Sequence, residues 1–390
     1  MRSVPAAQQH LSLMRIAYKM LFHSKQKFLG MLISSTFAFF IIMQQPSIYR
    51  GVSDRIVAQI NAIKNVDLWV MSEESSTFEQ PTQFKTTDIY RIRSIPGVQQ
   101  AIQVYRSWYL MKHLKTNKIL SWELIGVDPT TMLGLPKNML AGSRSTIYQP
   151  NSIIIDGYAL QQFNTETKGT IKIGDKMLSG RRTLIVSGIT KPLYTYMYQP
   201  KCYMLNSYIP PEFKYGSFIL VTIAPSSDVT TVAQEIRAIT HYDALTPVQF
   251  ATRSLDFFRK TTPIIIIFIA IAISGYVIGL IIMWQIFSNF ILTHLHQFGM
   301  LKMLGVSNAL LIKMVLFQAI IIGSIGYIIG LILLLIFEVI FHDTTVACHL
   351  TGTIAGMGIV GALIMVVLAA YLSIFKVLHS DTIDLCRDIN

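Results

Sequence analysis

Four residues near the carboxyl end, His342, Asp343, Cys348 and His349, carry side chains of the kind that bind metals or haem. Their spacing fits no standard ligand set, so a turn of solvated polar groups is expected there. Tyr194, Tyr196, Met197, Tyr198 and Tyr203 form an aromatic run, and tyrosine can serve as a haem axial ligand. Alternating residues on a strand beside a membrane account for the run more simply. Cys202, Cys348 and Cys386 form no C-x-x-C pair, which supports neither a zinc site nor a disulfide framework. Cys202 and Cys348 could pair in an oxidising compartment, but a lone buried thiol is the simpler expectation. No G-x-x-x-x-G-K-[ST] loop is present to cradle phosphates, and no nucleophile, base and orienting residue stand together. Neither catalysis nor a bound metal is expected.

The elements that must position these residues follow from composition. The chain has 390 residues, 52% hydrophobic and only 14% charged, against roughly 25% charged in soluble domains. Its apolar residues are gathered in blocks instead of being spread with the period of a strand or helix, which marks an integral membrane protein. The formal net charge of +12 comes without a basic run interleaved with aromatics. Membrane phosphates are therefore the expected counterpart of that charge, not nucleic acid.

Arg2, Arg15, Lys19, Lys25 and Lys27 precede the first apolar run with no acidic residue among them, a positive-inside signal that puts the amino terminus in the cytoplasm. The polar lead is too long for a cleaved signal peptide. Apolar positions from Leu11 to Phe22 mix with the basic ones as in a helix lying at lipid headgroups. The resulting plan is an amphipathic cytoplasmic helix over 1–27, a span over 28–46, an external domain over 47–260, and a second span over 261–292. A cytoplasmic segment over 293–308, a third span over 309–341, a short external loop over 342–351, a fourth span over 352–376 and a cytoplasmic tail over 377–390 complete it. The expected class is an α-helical membrane protein with four transmembrane helices plus a large α+β extracytoplasmic domain between helices 1 and 2.

Within the domain, helices are expected over 54–63, 86–94, 157–163 and 228–239, and strands over 67–71, 99–111, 122–127, 152–156 and 219–223. Short strands broken at Gly174-Asp175 and Gly180 are expected over 168–189. In the spans, Gly275 and Gly279, then Gly323, Gly326 and Gly330, then Gly356 with Gly358 and Gly361, have the spacing that lets helix backbones approach in lipid.

Thr293 to Asn308, THLHQFGMLKMLGVSN, interrupts two apolar runs and is too short to fold as a domain. Read as a helix, it sets Leu295, Phe298, Leu301 and Leu304 toward one face and His294, Gln297 and Lys302 largely elsewhere. That pattern suits the groove of a soluble partner. Gly299 would let backbones come close, and Gly305 would close the helix in a left-handed C-cap. Continuity with the flanking spans would carry the partner's motion through the bilayer. The alternative is a loop that merely reverses the chain.

Along the chain stand Ile95-Pro96-Gly97-Val98, then Ile125-Gly126-Val127-Asp128-Pro129, then Gln297-Phe298-Gly299 followed by Leu301-Lys302 and Leu304-Gly305-Val306-Ser307. In this layout they resemble the FtsX and MacB type of ABC transporter permease, the type VII class, with the DevC and HrtB branch nearest. The first two resemble stretches of the MacB-type external domain. The last is similar to a family pattern of glutamate, a hydrophobe and glycine, then a basic residue and Leu-Gly-Ala-Ser. Gln297 stands where the family usually has an acid, and Met303 where it has a small residue, so docking should depend little on an ion pair.

The resemblance implies a homodimer in the bacterial inner membrane, with both termini cytoplasmic, served by two copies of a cytoplasmic ATPase. That ATPase binds and hydrolyses the ATP, so this chain is no enzyme and needs no cofactor of its own. In related branches a periplasmic adaptor and an outer-membrane exit duct complete the assembly. Hydrolysis would move the external domains, a mode called mechanotransmission, and drive export of a lipid-like, haem or other amphiphilic cargo. The FtsX branch offers an alternative, activation of a cell-wall hydrolase without transport.

Overall fold

The computed structural model describes residues 6–379 apart from 24, 86, 168–170, 212–213, 215–216, 343 and 345–346. They divide into a helical unit, residues 1–52 and 263–390, and an α/β unit, residues 53–262. In chain order α1 (Ala6–His23), α2 (Lys25–Ile56) and α3 (Ala58–Ala62) come first. Then follow β1 (Leu68–Met71), α4 (Asp88–Arg93), β2 (Val98–His113), β3 (Ile119–Val127), β4 (Met139–Ala141), β5 (Ser152–Asp156) and α5 (Gly157–Thr167). After them come β6 (Lys176–Ser179), β7 (Arg182–Thr190), β8 (Lys201–Leu205), β9 (Ser217–Ile223), α6 (Val229–Thr240), β10 (Asp243–Leu245) and α7 (Pro247–Thr261). Four further helices are α8 (Ile264–Thr293), α9 (Leu295–Met303), α10 (Asn308–Phe341) and α11 (Gly352–His379).

Four of the described helices, Lys25–Ile56, Ile265–Thr293, Asn308–Phe341 and Gly352–Ser373, are long and apolar enough to cross a membrane. The α+β domain lies between the first and second of them in sequence, as expected. Two helix ends differ from the sequence reading. Pro46 was the expected stop of the first span, yet α2 runs through it to Ile56. A proline removes one helical hydrogen bond, and packing within a bundle makes that tolerable. The second span starts at Ile264 instead of 261, because Thr262, preceding Pro263, is extended (φ −117°, ψ 139°) and separates α7 from α8.

In the α/β unit ten strands form one sheet in the order β10-β1-β9-β2-β3-β8-β5-β7-β4, with β6 pairing to β2 and β7. The long strand β2 pairs with β9 up to Tyr105 and with β3 from Arg106 onward. Trp69, Phe78, Phe218 and Phe250 fill one core region, with Phe78 stacked on Phe218 at 5.2 Å. Trp122, Met111 and Phe163 fill a second, and Ile92, Ile95, Val232 and Ile236 seat α4 and α6 against the sheet. Each such fully buried side chain contributes roughly 1.5–3 kcal/mol.

Local signals explain the helix ends. Asp228 caps α6 by accepting from the Thr231 amide at 2.9 Å, and Thr246 with Gln249 forms a capping box on α7. Gly97 (φ +90°) turns α4 into β2 within Ile-Pro-Gly-Val. Thr86, the expected cap of α4, lies outside the described residues; Thr87 occupies the N-cap without a side-chain bond, and Asp88 accepts from the Lys85 amide at 2.9 Å. The short strands β4 and β10 carry no sequence signal of their own.

Candidate coupling site

The helical unit is assembled around glycines. A Cβ on Gly275 would overlap Ile41, and one on Gly279 would stand 2.5 Å from the Ala38 Cβ, so α8 lies against α2 at both. On α10, a Cβ at Gly326 would overlap the Ser35 Oγ, and one at Gly330 would stand 3.1 Å from the Thr36 carbonyl oxygen. Gly323 meets Val366 of α11 in the same way. A Cβ on Gly356, the expected contact glycine of α11, would meet nothing within 4 Å; Gly358 is the close one, where a Cβ would stand 2.7 Å from Met43 Cγ. The sequence gives the spacing of small residues but not which turn of the helix faces a neighbour.

α9 ends as foreseen at Gly305. The Gly305 amide donates to the Lys302 carbonyl at 3.0 Å and the Val306 amide to the Leu301 carbonyl at 3.1 Å, with Gly305 at φ +87°. This is a Schellman closure, and Leu301 and Val306 accompany it as half-buried apolar neighbours of the core.

The orientation of α9 differs from the sequence reading. Phe298, assigned to the partner-facing side, is 2% exposed and belongs to the core of the helical unit, while Leu301 is half-buried against it. The exposed apolar residues are Met300, Met303 and Leu304, the last two 62% and 81% exposed, with Gln297 also exposed and Lys302 half-buried. The reason is that the Phe298 face meets the chain's own bundle first. The Leu295 side chain lies outside the described residues. A Cβ at Gly299 would meet nothing within 4 Å. His294, at the join of α8 and α9, is buried, and its Nδ1 is 2.8 Å from the Phe290 carbonyl oxygen.

α1 borders the same region. Its Ala17 and Leu21 are buried, and Gln318 of α10 donates to the Ala17 carbonyl at 2.8 Å. Ile16, Lys19 and Met20 of α1 and Gln297, Met300 and Leu304 beyond α8 line an open groove of about 450 Å³. Thus α1 is docked on the bundle through one face and leaves Ile16, Tyr18 and Phe22 exposed on the other. Lys27 donates to Thr293 Oγ1 at 2.6 Å, joining the start of α2 to the end of α8.

Sequence reasoning missed a row of buried charge in the α/β unit. Arg106 on β2 donates through Nε to Glu123 Oε1 on β3 at 2.7 Å, and Glu123 Oε2 is 3.7 Å from Lys201 Nζ on β8. Asp156 on neighbouring β5 is fully buried and accepts from the Tyr158 and Leu193 amides, each at 3.1 Å. Burial pushes its carboxyl up to about 6, against the pull of Lys201. Charged residues set inside apolar strand runs, such as Glu123 in ILSWELIGV, were the available signal.

The tyrosine run is a loop, not the expected alternating strand, apart from Tyr203 in β8. Arg55, at the end of α2, lies over the rings of Tyr194 and Tyr198 at 5.3 and 5.4 Å and donates to the Tyr198 hydroxyl at 2.9 Å. Tyr196 meets Phe258 of α7 at 4.8 Å. His342, Cys348 and His349 belong to no metal-binding group among the described residues, and Asp343 lies outside them, as does Cys386. Cys202 is buried in β8, where burial pushes its thiol up, and both it and Cys348 are free thiols.

Residues 29–239, more than half of the chain, match the family model of the MacB-like periplasmic core domain, and residues 263–382 match that of the FtsX-like permease C-terminal region. Among solved structures, similarity extends to a permease domain from Porphyromonas gingivalis (15% identity, 47% of this chain and 90% of that one, TM-score 0.34). The extracellular domain of the noncanonic ABC-type transporter YknZ from Gram-positive bacteria is also similar (14%, 46% and 99%, 0.34). So is the periplasmic region of MacB from Actinobacillus actinomycetemcomitans (12%, 52% and 96%, 0.34). No curated protein matches the chain.

Proposed function

This chain belongs to the ABC-type permease family that joins a MacB-like periplasmic core domain to an FtsX-like permease C-terminal region, and we propose that it passes ATP-driven motion from a separate cytoplasmic ATPase to its large domain. Permeases of this family are multi-pass, typically non-catalytic subunits that work with an ABC ATPase, and homodimers are typical of the MacB-like ones.

In our reading α9 is the ATPase contact. The observation that carries it is the exposed apolar end formed by Met300, Met303 and Leu304 on a helix held rigid by its Schellman closure. Methionines adapt to a partner's surface. Gly299 adds support, because a glycine inside a helix costs about 1 kcal/mol relative to alanine and no side chain of this chain crowds its Cβ position. The groove shared with α1 offers a second wall for the partner. The basic residues of α1 and early α2 favour a cytoplasmic placement of both termini and α9, in an inner membrane with the large domain outside. Export of a lipid-like, haem or other amphiphilic cargo, with a periplasmic adaptor and an outer-membrane exit duct, is the activity we assign.

The test is co-purification of the full-length chain with the ATPase. Met303→Asp combined with Leu304→Asp should abolish pairing while the thermal transition of the permease stays in place. Unchanged pairing in that variant would sink the assignment of α9.

A further inference from the structure

At the end of the sheet where the second half of β2 meets β3, β6 and β7, one face has no cover, whereas the first half of the same face of β2, with Ile102 and Val104, is buried. On β2, Trp108, Leu110 and Lys112 project to the same side, because alternate residues of a strand share a face. Leu110 pairs with Ser121 and Lys112 with Ile119 on β3, and Lys112 also pairs with Leu178 on β6. Leu178 pairs in turn with Thr183, and Lys176 with Ile185, on β7. Residues paired across strands project to one side, so Trp108, Leu110, Ile119, Leu178 and Ile185 make a single patch. The opposite side of the same strands, with Tyr109, Met111, Trp122, Met177 and Leu184, is sealed together with Phe163 of α5.

The patch is open. Leu110 is 65% and Ile119 61% exposed, and Trp108 and Ile185 are exposed as well. An antiparallel sheet with one solvated face ordinarily turns polar residues to water, and this one sets Trp108, Leu110, Ile119 and Ile185 among them. Its polar surroundings are basic: Lys112 and Lys176 stand within the patch, Lys115 and Lys118 in the turn from β2 to β3, and Arg181 in the turn from β6 to β7. Asp175 nearby is buried and engaged by His113 and Lys115.

We propose that this face docks a partner protein whose surface carries an apolar patch edged by Asp and Glu side chains. Two copies of this chain meeting through the face would set its lysines against each other. A lone amphiphile would find no enclosing walls on a sheet face, whereas small-molecule sites are concave. A protein with an apolar centre and an acidic rim matches both the exposed apolar side chains and the basic charge around them. The proposal rests on the large domain being the output end of the permease.

Photo-cross-linking in cells tests it. Benzoylphenylalanine is placed in the full-length chain at position 110, at position 119 and, as a control, at position 90, where Tyr90 is exposed on α4. The captured protein is identified by mass spectrometry, purified and titrated against the full-length chain in nanodiscs. Positions 110 and 119 should capture the same protein through an acidic segment, and position 90 should not. Affinity should fall at least tenfold for Leu110→Asp and for Lys112→Glu with Lys176→Glu, and should weaken with added salt. The charge pair still reads the contact if Leu110→Asp fails to fold. Capture of a second copy of this chain, of lipid alone or of nothing at both positions overturns the proposal, as does unchanged affinity in the charge pair. If ATPase pairing through α9 fails while this capture persists, the coupling assignment falls and the docking face stands.

Discussion

Gly326 of α10 and Ser35 of α2 lie so close that a Cβ on the glycine would overlap the serine Oγ and stand 2.9 Å from its Cβ. The Thr36 amide nitrogen is 3.2 Å from the same point, so the neighbour that must give way is partly backbone. Gly326→Leu should therefore destabilise the helical unit by about 1–3 kcal/mol, the range for overpacking. Gly356→Leu, whose Cβ would meet nothing within 4 Å, should not destabilise it. Thermal unfolding of both variants in detergent checks the contrast, and equal transitions would rule out close α2–α10 packing.

Phe298 and Leu304 should separate folding from pairing. Phe298→Ala removes a core side chain and should cost about 3–5 kcal/mol, lowering the thermal transition whether or not the ATPase is present. Leu304→Ala removes an exposed side chain and should leave the transition unchanged while weakening ATPase binding severalfold. Since Gln297 is uncharged, that binding should change little between low and high salt. A Phe298→Ala variant as stable as the parent would show that Phe298 turns outward after all.

The buried carboxyl of Asp156 gives a pH dependence with a defined sign. Its folded-state value, about 6, lies above the ordinary 3.8. Its contribution to stability is therefore full below about pH 4 and is lost as pH rises through about 6. The parent should gain on the order of 1 kcal/mol relative to Asp156→Asn between pH 7 and pH 5. Melting both chains at the two pH values measures this. A stability gap that does not move with pH would mean that Asp156 is ionised without strain.

Much of this was legible in the sequence, for physical reasons that also mark the limits. Long apolar runs announce spans because a bilayer demands them, and Pro96-Gly97 and Gly305 announce their turns because few residues accept those backbone angles. Helical spacing shows that Phe298 and Leu301 share a face, but not whether the bundle or a partner covers it. Lys201 opens Lys-Cys-Tyr-Met-Leu, a stretch not among the expected strands, and nothing local marks it as buried. Only the parallel pairing of β3 with β8 opposes it to Glu123, and strand order is not written in local pattern. Arg55, expected within a helix over 54–63, likewise carries no local sign of the Tyr194 and Tyr198 rings that it lies over.

Gly305 should be the position in the coupling segment most sensitive to backbone conformation. Its φ of +87° lies in the region that side chains with a Cβ avoid, and nothing within 4 Å would obstruct an added methyl. Any penalty on substitution is thus conformational, about 1 kcal/mol for alanine and more for a β-branched residue. Asparagine tolerates the left-handed region better, so stability should rank Gly, Asn, Ala, Val from highest to lowest. Because the closure fixes where α9 stops and α10 begins, ATPase stimulation should follow the same order. Thermal unfolding together with ATPase assays on the reconstituted complex provides both series. Alanine matching glycine in both would mean that the closure does not hold α9 in place, and the rigid transmission assigned to this segment would have to be abandoned.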